Sequence, residues 1–294
     1  MSSLAKKNMG QIMLHAVFIV ISCLYIIPFW LVIAVSLTDE KALAKYGYSL
    51  IPKVFSLDAY KLVFADMTQL LQSYKVTIIF TAVAVTLSIL IMAVAAYPLA
   101  RSTFRYRRFF TMFVLITMLF SAGMVPNYML IVKYLHLNDS IWVYILPGLV
   151  SAYYLLIIRT NYANLPVELI EAAKIDGASE LYICCKIMIP LSTPVLASTG
   201  FLFLVSKWND WNTTLLYIKN PDLYSLQYLL QRILREAQYL QQMAAQGMLL
   251  VDEVFPTESY RYAMAVVAAG PVLLLFPFFQ KYFSKGMTIG GVKG

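Results

Sequence analysis

The residues able to make or break bonds are few and scattered. His15 and His136 are the two histidines and lie far apart in the chain. Cys23, Cys184 and Cys185 lack metal-ligand spacing, and two adjacent cysteines disfavour an ordinary bridge, so all three read as free thiols. No Ser/His/Asp set and no working pair of carboxylates is legible. No G-x4-G-K-[ST] loop occurs, so the backbone N–H cradle that holds nucleotide phosphates is missing from the sequence. What remains is suited to recognition. Asn127 and Tyr128, Tyr153 and Tyr154, and Trp208, Asn209, Trp211 and Asn212 combine aromatic faces with amides. That combination holds a hydroxyl-rich solute by stacking on its C–H surface and hydrogen-bonding its oxygens. Tyr and Trp are also enriched at membrane interfaces, which gives the aromatic members a plain anchoring role as the rival reading.

The elements that must position these groups follow from composition. Of 294 residues, 61% are hydrophobic and 13% charged, against roughly 45–50% and about 25% in a soluble domain. There is too little polar surface to cover that apolar excess in water, which excludes a cytosolic enzyme and a disordered chain. Stretches without Asp, Glu, Lys or Arg predict six spans, at approximately 12–37, 76–99, 109–131, 140–158, 187–206 and 262–280. The expected fold is therefore all-α: one polytopic transmembrane domain over 1–294 with six membrane-spanning helices. The first span is too long for a typical cleaved leader and reads as an anchor.

The net charge of +8 would point to nucleic acid in a soluble protein. In a membrane protein it marks cytoplasmic loops instead, and no nucleic-acid partner is expected. Placing both termini, the 101–108 loop and the 159–186 segment on one side gives that side twelve cations against four acids. Arg101, Arg105, Arg107 and Arg108, in a short loop, carry most of this signal, so both termini are expected in the cytoplasm. The spans themselves carry almost no charge, which argues against proton or sodium coupling and fits a neutral solute.

Two segments break the alternation of span and short loop. The external stretch 207–261 contains Leu226, Leu229, Leu230, Ile233 and Leu234 at helical spacing, with Gln231, Arg232 and Arg235 between them, and predicts an amphipathic helix. The cytoplasmic stretch 164–187 predicts a helix pair. Asn164 followed by Pro166 is a start signal, and Glu168 and Glu171 complement the first turns. Leu169, Ala172 and Ala173 share a face, Gly177 ends the helix, and Ser179 caps a second helix running toward Pro190. A few residues suffice to join two spans, so such a knob reads either as packing on its own protein or as a dock for a partner.

These residues resemble a known family. Glu171-Ala172-Ala173, three residues, Gly177, nine residues, then Ile187-x-Ile189-Pro190 is similar to the EAA loop of ATP-binding-cassette importer permeases, EAA-x3-G-x9-I-x-L-P, with Ile189 in place of leucine. The run Asp176-Gly177-Ala178 and the C-terminal stretch from Gly286 through Gly290 and Gly291 to Gly294 resemble the carbohydrate branch, and in particular the smaller maltose permease subunit. Gly123-Met124-Val125-Pro126 and the long 207–261 segment look closest to permeases for polysaccharide-derived saccharides.

The resemblance implies a permease subunit for carbohydrate import, working with a second homologous permease, two ATP-binding subunits and an extracytoplasmic solute-binding protein in a prokaryotic cytoplasmic membrane. ATP and Mg would be held by the partner subunits, with no cofactor or metal in this chain. Glu171, Ala172, Ala173, Asp176, Gly177, Ile187 and Pro190 would couple to an ATP-binding subunit. Gly286, Gly290, Gly291 and Gly294 would form a tail reaching between the two ATP-binding subunits. The 207–261 segment, with Lys207, Asp210, Lys219 and Asp222, would meet the solute-binding protein. The alternatives are a permease for a non-sugar solute, which needs charged residues along the path, and a membrane-embedded enzyme, which needs a cluster of Asp, His or Arg at a membrane boundary.

Overall fold

The structure, a computed structural model, describes residues 2–246 and 257–286. Those residues are helical, apart from turns and an isolated antiparallel bridge between Thr38 and Phe55. The chain divides into two compact units, Met1–Met67 with Leu230–Pro271, and Thr68–Leu229 with Val272–Gly294.

In the first unit, α1 (Ser2–Ser36) turns Ile12, Phe18, Leu24, Phe29 and Trp30 outward, as a helix does when its solvent is hydrocarbon. The Asp39 carboxylate caps α2 (Glu40–Tyr46) by accepting from the Ala42 N–H at 3.0 Å, and the short α3 (Asp58–Val63) follows. The start of α15 (Thr257–Gly286) is tied here too. Its orphan donors, the N–H groups of Glu258 and Ser259, donate to the Glu40 carboxylate at 3.0 Å each, and the Ser259 hydroxyl adds a third bond at 2.8 Å.

The second unit is built on α4 (Met67–Ala100), which lies in this unit from Thr68. The other helices are α5 (Arg107–Leu119), α6 (Met124–Met129, continuing as a π-turn to Tyr134), α7 (Trp142–Ile145), α8 (Ala152–Ala163), α9 (Glu168–Ile175) and α10 (Glu180–Ile183, with a π-turn to Met188). Then come α11 (Ile189–Leu191), α12 (Thr193–Trp208) and α13 (Asn212–Tyr217). Two cores flank α4. One joins Val76, Phe80 and Ala84 to Val143, Tyr144, Phe203 and Tyr224. The other joins Met92, Ala96, Tyr97 and Leu99 to Leu155, Ile158, Tyr162, Ile170, Ile183, Met188 and Leu196. The amphipathic helix expected after Tyr224 is α14 (Leu226–Ala245). Leu226, Leu229, Leu230, Leu234 and Ala237 are buried, and Gln231, Arg232 and Arg235 are exposed.

The six expected spans are not six straight helices. Gln11–Ser36, Met67–Ala100 and Thr257–Tyr282 are each long and apolar enough to cross a membrane. The expected 109–131 span is bent by 108° between α5 and α6, where Gly123 takes φ +87° and Pro126 follows. The expected 187–206 span is itself bent by 76°, at Ser192 between the helix Glu180–Leu191 and α12. The cause lies in the sequence: Pro194 has no N–H for the Pro190 carbonyl, and the Thr193 hydroxyl donates to that carbonyl instead at 2.7 Å. The expected 140–158 span is two pieces, α7 and α8, separated at Pro147 and Gly148, whose φ is +79°.

Candidate functional site: a helix pair and a cavity

The knob expected between the fourth and fifth spans is present as α9 and α10. The turn between them is closed by a Schellman pair. The Gly177 N–H donates to the Lys174 carbonyl at 3.0 Å and the Ala178 N–H to the Ala173 carbonyl at 2.9 Å, with Gly177 at φ +79°. Ser179 caps α10 through the Tyr182 N–H at 3.3 Å. The start of α9 differs from the sequence reading. Asn164 closes α8, its N–H donating to the Asn161 carbonyl, and α9 begins at Glu168 without a side-chain cap. Because α8 runs on to Ala163, Asn164 is already spent as its C-cap.

The knob is fastened to the spans. Ile170, Ile183 and Met188 sit in the core shared with α4 and α8. Lys174 pairs with Glu180 across the glycine turn at 2.6 Å, and Glu180 also accepts from the Tyr97 hydroxyl near the end of α4. Arg159 of α8 donates to the Leu99 carbonyl at 3.2 Å. The opposite face is bare: Glu171, Ala172, Asp176 and Gly177 are exposed, Ile175 is 86% exposed, and Leu181 and Tyr182 also face outward. Ala173, Asp176, Gly177 and Ile187 line a cleft of about 580 Å³ beside this face; Pro190 lies apart, at the bend before α12.

A larger cavity, about 740 Å³, opens in the same unit. Asn127 and Asn212 line it together with Lys207, Thr213, Tyr217 and Gly148. Tyr128 backs the wall by stacking on Tyr217, with ring centres 5.6 Å apart. The other candidates are not among the lining. Tyr154 packs edge-on against Tyr153 and Phe203, Trp208 is buried with its ring near Tyr74, and Asn209 bonds to Gln227. Trp211 directly precedes α13.

Polar links hold the segments that line the cavity, buried at Tyr144 and exposed at Asp139. The Tyr144 ring stacks on Phe80 at 4.4 Å, and its hydroxyl bonds Thr214 and the Leu223 carbonyl. Asp139 accepts from the Lys219 and Asn220 N–H groups at 2.7 and 2.8 Å. Those two backbone donors, Asn220 first, hold the Asp139 carboxyl below its ordinary value.

Lys207 and Asp210, expected at a binding-protein interface, are half-buried: Asp210 caps α13 through Thr213, and Lys207 faces the cavity. Lys219 and Asp222 are exposed. The signal for Lys207 was available, since α12 runs two residues past the apolar stretch, to Trp208. Of the tail glycines, Gly286 is the last residue of α15, while Gly290, Gly291 and Gly294 lie outside the described residues. The three cysteines are free thiols, as their spacing implied.

The described residues combine helices long and apolar enough to cross a membrane, a helix pair fastened to the core, and a cavity with polar lining. Residues 2–289 match the family described as binding-protein-dependent transport system inner membrane component, and the chain belongs to it. It is a transport permease rather than an enzyme, and ATP hydrolysis falls to separate subunits. It is similar to Protein LplC of Bacillus subtilis (strain 168), 40% identical over 93% of this chain and 91% of that one. It is also similar to the polygalacturonan/rhamnogalacturonan transport system permease protein YtcP of the same organism, 37% identical over 98% and 100%. The fold matches a chain in the crystal structure of a bacterial ABC transporter involved in the import of the acidic polysaccharide alginate, with a TM-score of 0.75, 24% identity and coverage of 95% and 98%.

Proposed function

We propose that this chain is one of two homologous membrane subunits of an ATP-driven importer that carries an oligosaccharide, released from a polysaccharide, across the cytoplasmic membrane of a prokaryote. In this reading the chain crosses the bilayer six times with both termini inside, the 140–163 segment crossing in two pieces. A solute-binding protein delivers the sugar to the outer side, where 207–261 receives it. Two ATP-binding subunits, which hold ATP and Mg, meet Glu171, Ala172, Ala173, Asp176, Gly177, Ile187 and Pro190 and the glycine-rich tail. The printed name of the YtcP relative supports a polysaccharide-derived cargo, and the amide, hydroxyl and aromatic lining of the cavity suits one.

The observation that carries the coupling assignment is the knob's geometry: one face locked into the core of α4 and α8, the other apolar and uncovered. Closure of the ATP-binding subunits would move the knob, and the shared core would pass that motion to the spans. The test is purification of the tagged chain from its native membrane in mild detergent, with mass spectrometry of what accompanies it. An ATP-binding subunit and a second permease should be recovered with the native chain and lost with Ile175→Asp, whose side chain supports no core. Recovery of the chain alone, under conditions that preserve another transporter of this type, would overturn the assignment.

A further inference from the structure

The Lys207 ammonium is the cation among the residues lining the 740 Å³ cavity, in a unit whose membrane-crossing stretches are otherwise nearly free of charge. It donates to the Tyr144 carbonyl at 2.7 Å and, more loosely, to the Pro147 carbonyl at 3.4 Å. These are carbonyls freed where α7 stops at the Pro147–Gly148 break. No carboxylate stands within 4 Å of it among the described residues. The nearby acid, Asp210, has its oxygens committed to the Thr213 N–H at 3.0 Å and the Thr213 hydroxyl at 2.6 Å. The ammonium carries three protons, and the two carbonyls occupy two of them without neutralising the charge. The ammonium also stands over the Phe203 ring, 5.8 Å from its centre, which leaves its charge able to meet an anion in a cavity whose other polar groups, Asn127, Asn212, Thr213 and Tyr217, are all neutral.

Capping a four-residue helix does not call for a full charge, because a neutral donor also satisfies a carbonyl, though by a weaker bond. A half-buried ammonium retained beside a polar cavity is suited to an anion, and an anion inside a hydroxyl-binding cavity is a sugar acid. Resting on the saccharide reading above, we propose that the cargo is an acidic oligosaccharide built of uronic acid units, and that Lys207 receives a carboxylate of the chain as it passes. Asn127 and Asn212 serve its hydroxyls. The specificity for acid over neutral sugar is then written into the permease as well as into the protein that delivers the cargo.

The experiment uses cells carrying the complete transporter, with Lys207→Gln and Lys207→Arg introduced at the native locus. Uptake of labelled trigalacturonate and of a neutral trisaccharide, maltotriose, is followed together with the amount of chain in the membrane. The native transporter should import the uronate. Lys207→Gln keeps a donor but not the charge and should lower that uptake about ten- to a hundred-fold, the range expected for one charge-assisted hydrogen bond. Lys207→Arg should retain most of it, with both variants at native abundance.

Uronate import that is equal in the native and Gln proteins would overturn the role of Lys207. Import of maltotriose alone would overturn the acidic cargo while leaving the saccharide permease intact, and import of neither sugar would remove the saccharide reading itself. Loss of uptake in both variants together with loss of the chain from the membrane would make Lys207 a structural tie and overturn the proposal.

Discussion

Gly177 offers a perturbation whose cost can be worked from the backbone. Its φ of +79° lies in the left-handed region, and a β-carbon added there meets no atom within 4 Å. Space is therefore not the obstacle, and the penalty is purely conformational: about 1–2 kcal/mol for an ordinary L residue in that region. Asparagine visits it at lower cost, and β-branched valine at higher. A penalty of 1–2 kcal/mol lowers the ratio of formed to unformed turn by a factor of about 5–30. What is lost is the pair of bonds from Gly177 and Ala178 back to Lys174 and Ala173, and with them the angle between α9 and α10. Uptake and recovery of the ATP-binding subunit should therefore fall in the order native, Asn, Ala, Val. The amount of chain inserted in the membrane should stay constant, because the spans do not depend on the turn. Native uptake by Gly177→Val, or an Asn variant as damaged as the Val variant, would refute the argument from backbone conformation.

Other expectations follow from single contacts. Thr193→Val leaves the Pro190 carbonyl without the bond that replaces the helical ladder, and should lower the melting temperature of the detergent-solubilised protein through a loss of about 1 kcal/mol. Glu180→Ala removes the partner of both Lys174 and Tyr97, whereas Lys174→Ala removes a surface pair worth less than about 1 kcal/mol. The first should therefore destabilise more than the second in thermal melts. Asp139 has its folded pKa depressed by the Asn220 and Lys219 N–H groups, so its contribution is present above the ordinary carboxyl value and lost as pH falls through the folded one. Proteolysis near Lys219 should accelerate on acidification below about pH 4, the ordinary aspartate range, and Asp139→Asn should remove that pH dependence.

Local chemistry is what the sequence made legible. The Gly177 turn and the Ser179 cap were visible because each depends on one or two neighbouring residues. The α14 stripe was visible because burial of Leu226, Leu229, Leu230 and Leu234 follows helical period. The bends were missed because hydropathy registers composition and not direction. Pro147–Gly148 and the pair Pro190 and Pro194 were the signals that apolar runs obscured. Asn164 before Pro166 signals a helix start, yet it closes α8, since the same residue serves either end and only the length of α8 decides. Grouping by residue type placed Tyr153, Tyr154 and Trp208 beside Asn127 and Asn212. The fold separates them, committing the first three to aromatic packing and the last two to the cavity. The family resemblance implies Lys207 at the surface that meets the solute-binding protein; the structure has it half-buried near the end of α12, lining the cavity.

The two faces of the knob vary under different constraints. Ile170, Ile183 and Met188 are buried in the protein core, so their shapes are constrained by α4 and α8. Ile175, Leu181 and Tyr182 answer only to whatever docks on them. Under the function proposed above, a lineage can alter what the cavity accepts without renegotiating its power supply, because the cavity and the outward face share no residue. Conversely, in the proposed assembly one ATP-hydrolysing partner would serve several permeases of different cargo, provided each presented the same few side chains at the tip of the same glycine turn. Modularity of this kind needs no flexible linker; it comes from a short helix with one side inside the core and the other outside it.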